Sequence, residues 1–576
     1  MTRDHQEHSK CLRGSFIDHL RDHQKLLGGN GMSLKKVLSM ALIVALLGVA
    51  AVGCGNNSND SEGNKAQELT MNFRAEPPAL DVSIAESSAS FTFLGAISEG
   101  LYRTGKNMEV EPALAKDMPE ISADGLTYTI KLRDNIKWAD GSPVTAEDFV
   151  YSFKRTLDPA TKASYSFMVA WIKGGEAVMT ATDAAAVAKA QDALGVVAED
   201  EKTLVITLER PIAYFTSQLA FATFFPQKEA FVAPLADKNG ADVDKVLGAG
   251  PFKLTKWDHG QTLVLEKNDQ YWDADNVALK KVTINIVKDT NTGLNLYETN
   301  TADYTDIKGD QMKQYEGKPD LVIKNELTVG YLTFQENVPA LKNEKIRKAL
   351  AMAIDRKGHT DTVLVNGSVP SAGFVPNGNL DGNGKEFRDV LKDTQPAFDV
   401  AQAKSLLAEG LKEANLTALP KLTIIGDDTE TGKKSLEFLV SQWKTNLGIE
   451  VLAEPMPHKN RLDRELKKDY DIVSTLWGAD YNDPMTWLDL WVTDGPFNTG
   501  SYSNSEYDAL INAAITETDT TVRAQQLVDA EKILMADMPI APLYYRSSVY
   551  LVRPSIQDMV LPPYGPDFEL KFASVK

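Results

Sequence analysis

The chain has 576 residues, of which 43% are hydrophobic and 24% charged, the balance of a globular protein long enough for several domains. Its 61 basic against 80 acidic residues give a net charge of −19 with no basic stripe, so nucleic acid is not an expected partner. Its two cysteines, Cys11 and Cys54, both lie near the N-terminus, which leaves the body without a disulfide framework, a thiolate metal cage or a cysteine nucleophile.

Residues 1–31 are polar and carry His5, His8, His19 and His23. They read as an untranslated upstream extension with Met32 as the true start; metal binding by the histidines is the less favoured reading. Met32-Ser33-Leu34-Lys35-Lys36 then opens a signal-peptide pattern of two positive charges, an apolar run over 37–52, and small residues up to Cys54. At about 16 residues the run is short for a membrane span, which needs about 20. Ala51-Val52-Gly53-Cys54 resembles a lipobox, with Ala51 where leucine is commoner. The expectation is that residues 32–53 are a lipoprotein signal peptide and that Cys54 is lipidated; secretory cleavage with Cys54 incidental is the alternative. Residues 54–67, rich in Gly, Asn and Ser, read as a flexible tether. The body beyond is acidic enough that a membrane location depends on the lipid rather than on charge.

Leu69–Phe73 has the bias of a first strand, with a turn at Glu76–Asp81 and a helix over Phe91–Glu99. Leu126–Arg133 alternates with a period of two and reads as a strand. Asp140-Gly141 is a turn, and Thr145 with Asp148 makes a capping box for a helix carrying Phe149, Val150 and Phe153. Ile346, Leu350, Ala353 and Ile354 form a helical stripe, which alone means a core-facing helix. Trp272 and Trp443 are core aromatics by default. Tyr470–Trp477 reads as a buried strand, stopped by turn chemistry at Asp483-Pro484. Asp480, just past that strand, is either the N-cap of a helix over Met485–Trp491 or a cleft carboxylate placed to meet a cation.

Trp138-Ala139-Asp140-Gly141-Ser142-Pro143-Val144-Thr145-Ala146-Glu147-Asp148-Phe149 resembles the signature block of the peptide/nickel class of extracellular solute-binding proteins, the receptors of ABC importers. Further blocks follow in the family's order: Gly248–Leu254 with Leu265–Asn268 and Tyr271-Trp272, Asn343–Arg356, Trp443–Val451 and Ala541–Tyr545. The resemblance runs from Leu69 to Lys576 and is closest to the oligopeptide-binding lipoproteins. It implies an α/β fold, a two-lobed type II periplasmic-binding-protein-like clamp with an extra subdomain inserted in the first lobe. The expected division is 68–98, 225–284 and 547–576 for the core of lobe I, 99–224 for the inserted subdomain and 285–546 for lobe II.

The resemblance implies that an oligopeptide lies extended between the lobes, its main chain paired like an added strand and its side chains in wet pockets. Asp480 matches the family's carboxylate for the peptide α-ammonium. Glu86 matches a carboxylate lining the cleft, Tyr165 a tyrosine that contacts the peptide, and Trp477 a cleft aromatic; packing roles are the alternatives for Tyr165 and Trp477. Relatives that select short peptides hold the C-terminal carboxylate with cationic residues, where this chain has Ser474, Glu465 and Leu466. Longer peptides with protruding ends, or selection by other means, are therefore expected.

No G-x-S-x-G or other nucleophile–base motif appears, so a secreted hydrolase is disfavoured and no catalytic residue is expected. Ile425–Ser435 imitates a phosphate loop but has five residues between its glycines, three of them acidic, and Lys434 in the magnesium position. Asp273-Ala274-Asp275 lacks the glycine of a calcium loop. His259, His359 and His458 show no metal spacing, so neither cofactor nor metal is expected. The expected protein is a monomeric receptor on the extracellular face of the cytoplasmic membrane of a Gram-positive-type cell, with oligopeptides and importer permease subunits as partners. Metal chelates, haem, glycans, small antibiotics or signalling peptides are the competing ligands.

Overall fold

The computed structural model describes residues 67–106 and 108–576. The signal peptide, Cys54 and the tether up to residue 66 lie outside the described residues. Among the described residues, no helix is long and apolar enough to cross a membrane.

A mixed sheet of eleven strands runs through both lobes. Its order is Val451–Met456, Leu422–Asp427, Ile472–Gly478, Leu321–Phe334, Ile540–Val552, Tyr304–Asp306, Glu68–Phe73, Lys281–Ile286, Thr262–Lys267 and Phe252–Asp258, with Val369–Pro370 paired beside Ile540–Val552. Glu68–Phe73 lies parallel to both its neighbours, and Leu422–Asp427 lies parallel to both of its own. The two longest strands pair with each other at the middle of the sheet. Leu321–Asn325 pairs with Ser547–Leu551, and after an irregularity at residues 326–328 the same strand continues with Val329–Thr333 beside Ile540–Tyr545. Its Thr328–Phe334 segment also pairs with Gly478–Ile472. Glu326 sits in the irregularity and is held by Arg546 and Ser548.

The signature blocks mark places where backbones must meet. The helix Ser88–Ile97 begins earlier than the sequence suggests because the Ser87 hydroxyl accepts the N–H of Ser90 at 3.2 Å. Its far end packs directly on the Gly248–Pro251 turn, where a Cβ on Gly248 would lie 1.8 Å from the Ile97 carbonyl oxygen. The Gly248 carbonyl in turn accepts the Ala139 N–H at 2.9 Å, and the Gly250 carbonyl accepts from Asn268 Nδ2 at 2.9 Å. Three blocks far apart in sequence are thus one packed junction, and glycine is required where backbone approaches backbone.

The inserted subdomain is a four-stranded antiparallel sheet in the order Glu120–Ile121, Thr127–Lys131, Thr203–Thr207, Val196–Asp200. The helix Ala146–Leu157 covers it with Phe149 and Phe153 fully buried, and opens on the expected capping box, the Thr145 N–H donating to Asp148 Oδ2 at 2.8 Å. In lobe II the helix Glu344–Met352 buries the stripe Ile346–Leu350, and Trp443 is fully buried with its indole N–H given to the Leu350 carbonyl at 2.9 Å. The subdomain and lobe II touch: Tyr214 stacks on Tyr481 at 4.6 Å between centroids and 5° between planes.

Candidate ligand-binding cleft

Asp480 follows the strand Ile472–Gly478, and the helix-cap reading of it is wrong in a specific way. The short helix Met485–Leu488 is served by Asp483, whose Oδ1 accepts the Met485 N–H at 2.9 Å. Asp483 is also gripped by both terminal nitrogens of Arg523, at 2.7 and 2.8 Å. Asp480 engages this turn only through its backbone, giving its N–H to Thr486 Oγ1 at 3.2 Å. Its side chain is left free to face lobe I.

There it meets Tyr165, whose hydroxyl donates to the carboxylate. Burial pushes the Asp480 carboxyl up to about 7, against the smaller opposing effect of that hydrogen bond. Among the described residues Asp480 has no ion-pair partner. Asp489 is pushed up to about 8, first by burial and then by the charges of Asp480 and Asp483. The turn thus holds three carboxylates against one arginine, already committed to Asp483. Around Asp480 negative charge outweighs positive.

Tyr165 packs its ring edge-on against Phe91 at 5.6 Å and at a tilt against Phe221 at 5.2 Å. Burial raises its hydroxyl, with Asp480 and Glu86 adding to the effect. Glu86 is exposed and accepts from Ser164 Oγ at 2.7 Å, beside Tyr165. Trp477 is half-buried, and its indole N–H has no partner. A run of rings joins the two sides of the cleft mouth, with Tyr165 to Phe167 at 5.8 Å, Phe167 to Phe497 at 6.5 Å and Phe497 to Trp477 at 5.2 Å. Asp480, Tyr165 and Glu86 are therefore brought together, with Trp477 on the strand that leads into Asp480 and linked to them through aromatic neighbours.

A further feature has no motif. Leu422–Asp427 pairs only with Ile472 and Val473 of the site strand. From Ser474 to Gly478 the strand has a ladder partner on one side alone, and its other edge opens beside Asp480 and Trp477. An open strand edge offers a row of N–H and C=O groups to any extended chain. The sequence shows a strand here but not where its neighbour stops.

The expected shortage of cations at the far end of the site has a structural counterpart. Glu465 is turned inward and paired with Arg461, which also holds Asp427 at 2.8 Å and Thr475 Oγ1 at 2.8 Å. Leu466 is 60% exposed. Arg461 is the buried cation of this segment, occupied by Asp427, Glu465, Thr475 and His458, while Arg464 pairs with Glu454 and Asp469. The same contacts dispose of the phosphate-loop imitation: Asp427 is taken up by Arg461 and His458, and Thr429 caps the helix Glu430–Leu447. His359 is buried against Ser435 at 3.0 Å, with burial lowering it to about 4, while His259 sits on Glu76 at 2.6 Å. Among the described residues, no group of three or more His, Cys, Asp or Glu side chains is placed to hold a metal ion.

Behind Asp480 lies a pocket of about 90 Å³, walled by Phe91, Phe221, Glu99, Tyr564 and Glu569 among others. An apolar wall with a few convergent charges is the usual form of a small-ligand site.

Comparison with known proteins agrees with this architecture. The dipeptide-binding protein DppE of Bacillus subtilis is 33% identical over 552 residues, covering 94% of this chain and 99% of that protein. The oligopeptide-binding protein OppA of the same organism is 33% identical over 543 residues, with 92% and 97% covered. Among solved structures, Listeria monocytogenes OppA bound to peptide matches with a TM-score of 0.74 at 38% identity, over 89% of this chain and all of that one. The fold is the two-lobed type II clamp. The model of bacterial extracellular solute-binding proteins, family 5 Middle, matches residues 109–499, and the chain belongs to that family, the peptide class of ABC-importer receptors.

Proposed function

We propose that this protein is a lipid-anchored receptor, held by Cys54 at the extracellular face of the cytoplasmic membrane of a Gram-positive-type cell. It binds oligopeptides between its lobes and delivers them to the permease subunits of an ABC importer. The observation that carries this reading is the open strand edge Ser474–Gly478 ending at an uncompensated buried carboxylate, Asp480. A peptide is the ligand that answers both features at once, since its main chain completes the ladder while its α-ammonium supplies the missing cation. The peptide-binding relatives support the same conclusion.

In this scheme Tyr165 and Glu86 present lobe I to the peptide's first residues, and the free Trp477 N–H meets a peptide oxygen. Closure needs no catalytic group, because contacts made only in the closed state drive it. The hinge lies in the ladder itself, at the irregularity around Glu326. Because Arg461 is occupied and Ser474 carries no charge, the peptide's C-terminus is not clamped, and longer peptides extend past the site.

Native mass spectrometry of the full chain purified from its own cells, with release and sequencing of what co-purifies, tests the reading. Peptides of mixed sequence are expected. A sugar, haem or metal chelate released stoichiometrically would overturn it.

A further inference from the structure

Asp480 shares its cavity with a second carboxylate that the scheme above does not use. Glu569 follows a short antiparallel bridge, its N–H given to the Val560 carbonyl at 2.8 Å, and its side chain lines the same cavity wall. The other charges of that wall are accounted for. Arg103 pairs with Glu99 at 3.1 Å and with Glu111 at 3.4 Å. Glu99 also accepts from the Tyr271 hydroxyl and the Trp272 indole, each at 2.7 Å. Lys571 pairs with Asp273 at 2.6 Å.

Glu569 makes no direct ion pair among the described residues, although the charges of Arg103 and Lys571 act on it from a greater distance, against the effect of burial. Its nearest donor is the Lys571 backbone N–H, at a long 3.4 Å. Glu569 is half-buried, and burial pushes its carboxyl up to about 7 as it does that of Asp480. Two carboxylates therefore line one pocket, and neither has a direct ion-pair partner among the described residues. A group in that position is costly in the empty protein and favourable only when a ligand brings the opposite charge.

We propose that Glu569 receives the cationic side chain of the first residue of a bound peptide, making the receptor selective for peptides that begin with Lys or Arg. The proposal rests on the reading in which Asp480 holds the α-ammonium. The α-ammonium and side-chain cation of one residue are joined by a flexible apolar stem, and they enter one cavity together. Phe91, Phe221 and Tyr564 supply apolar wall for the methylenes, while the charged end reaches a carboxylate.

Calorimetric titration of the ligand-free full chain at pH 7.5 tests this with four tetrapeptides beginning with Lys, norleucine, Glu or N-acetyl-norleucine and otherwise all alanine. Norleucine keeps the stem and removes the charge. The Lys peptide is expected to bind roughly 10- to 100-fold tighter than the norleucine peptide, with the Glu peptide weakest. In Glu569→Gln the Lys and norleucine peptides should bind alike, at the wild-type norleucine affinity. Equal binding of Lys and norleucine peptides by the wild type overturns the proposal even if Glu569→Gln fails to fold, and so does a Lys preference that survives in that variant. If the norleucine peptide binds and acetylation abolishes that binding, the role of Asp480 stands whatever happens to Glu569. If none of the peptides binds, both readings fall together.

Discussion

Replacing Asp480 with Asn removes one charge and almost no volume, which makes it the cleanest probe of the cleft. The carboxyl rises from its ordinary 3.8 to about 7. That rise corresponds to about 4 kcal/mol opposing ionisation in the absence of a cation. A bound α-ammonium recovers energy of this order, and a buried pair broken at one partner typically loses about 3–5 kcal/mol. Asp480→Asn should therefore weaken a free-amine peptide by about 10²- to 10³-fold. N-acetylation of the peptide should cost the wild type a similar factor and cost the variant almost nothing. The ligand-free variant should melt no lower than the wild type at pH 8, because the neutral amide carries no desolvated charge and Asp483, not Asp480, caps the following helix. Isothermal titration of both proteins with both peptides reads the whole cycle. Equal affinity of the wild type for free-amine and acetylated peptides would refute the reasoning.

Three further outcomes follow from the same structure. Because the folded-state value of Asp480 is raised, the ligand-free form is favoured with the carboxyl protonated, and that advantage is lost as pH climbs from about 4 towards 7; peptide affinity should strengthen across this window, and a flat profile between pH 5 and 7 in the wild type would show the carboxylate is not desolvated before binding. Arg523→Ala leaves Asp483 buried without its bidentate partner, with side-chain exposures of 3% and 7%, and should cost about 3–5 kcal/mol in chemical denaturation, partly recovered by adding Asp483→Asn. Gly248→Ala drives a methyl into the Ile97 carbonyl, 1.8 Å away before relaxation, and should lower the melting temperature sharply or prevent folding; a wild-type melting curve would show the junction is looser than described.

Much of the fold is legible in the chain because its signals are local. Alternation marks Thr127–Lys131, the capping box marks Ala146–Leu157, and small residues mark the Gly248 junction. Asp480 shows the limit of that legibility. An aspartate two residues before Asn482-Asp483-Pro484 is a reasonable cap, and only the fold reveals that Asp483 takes the role. The inward turn of Glu465 depends on Arg461 one helical turn earlier, a pairing whose value comes from burial against Thr475. The open edge at Ser474–Gly478 is invisible for a different reason, since it is defined by where Leu422–Asp427 ends its pairing rather than by its own residues. Glu569 lies far from any recognisable block, and its significance is the absence of a direct ion-pair partner, which no single stretch of sequence encodes.

The strands Leu321–Phe334 and Ile540–Val552 pair with each other at the middle of the sheet. The ladder shifts register at residues 326–328 and again between Gly330 and Tyr331, while the sheet itself runs without a break from rim to rim. A bend at the middle of such a plate would carry its outer strands Val451–Met456 and Phe252–Asp258 with it. A membrane partner touching only those distant rims could sense whether the cleft is filled without approaching the ligand.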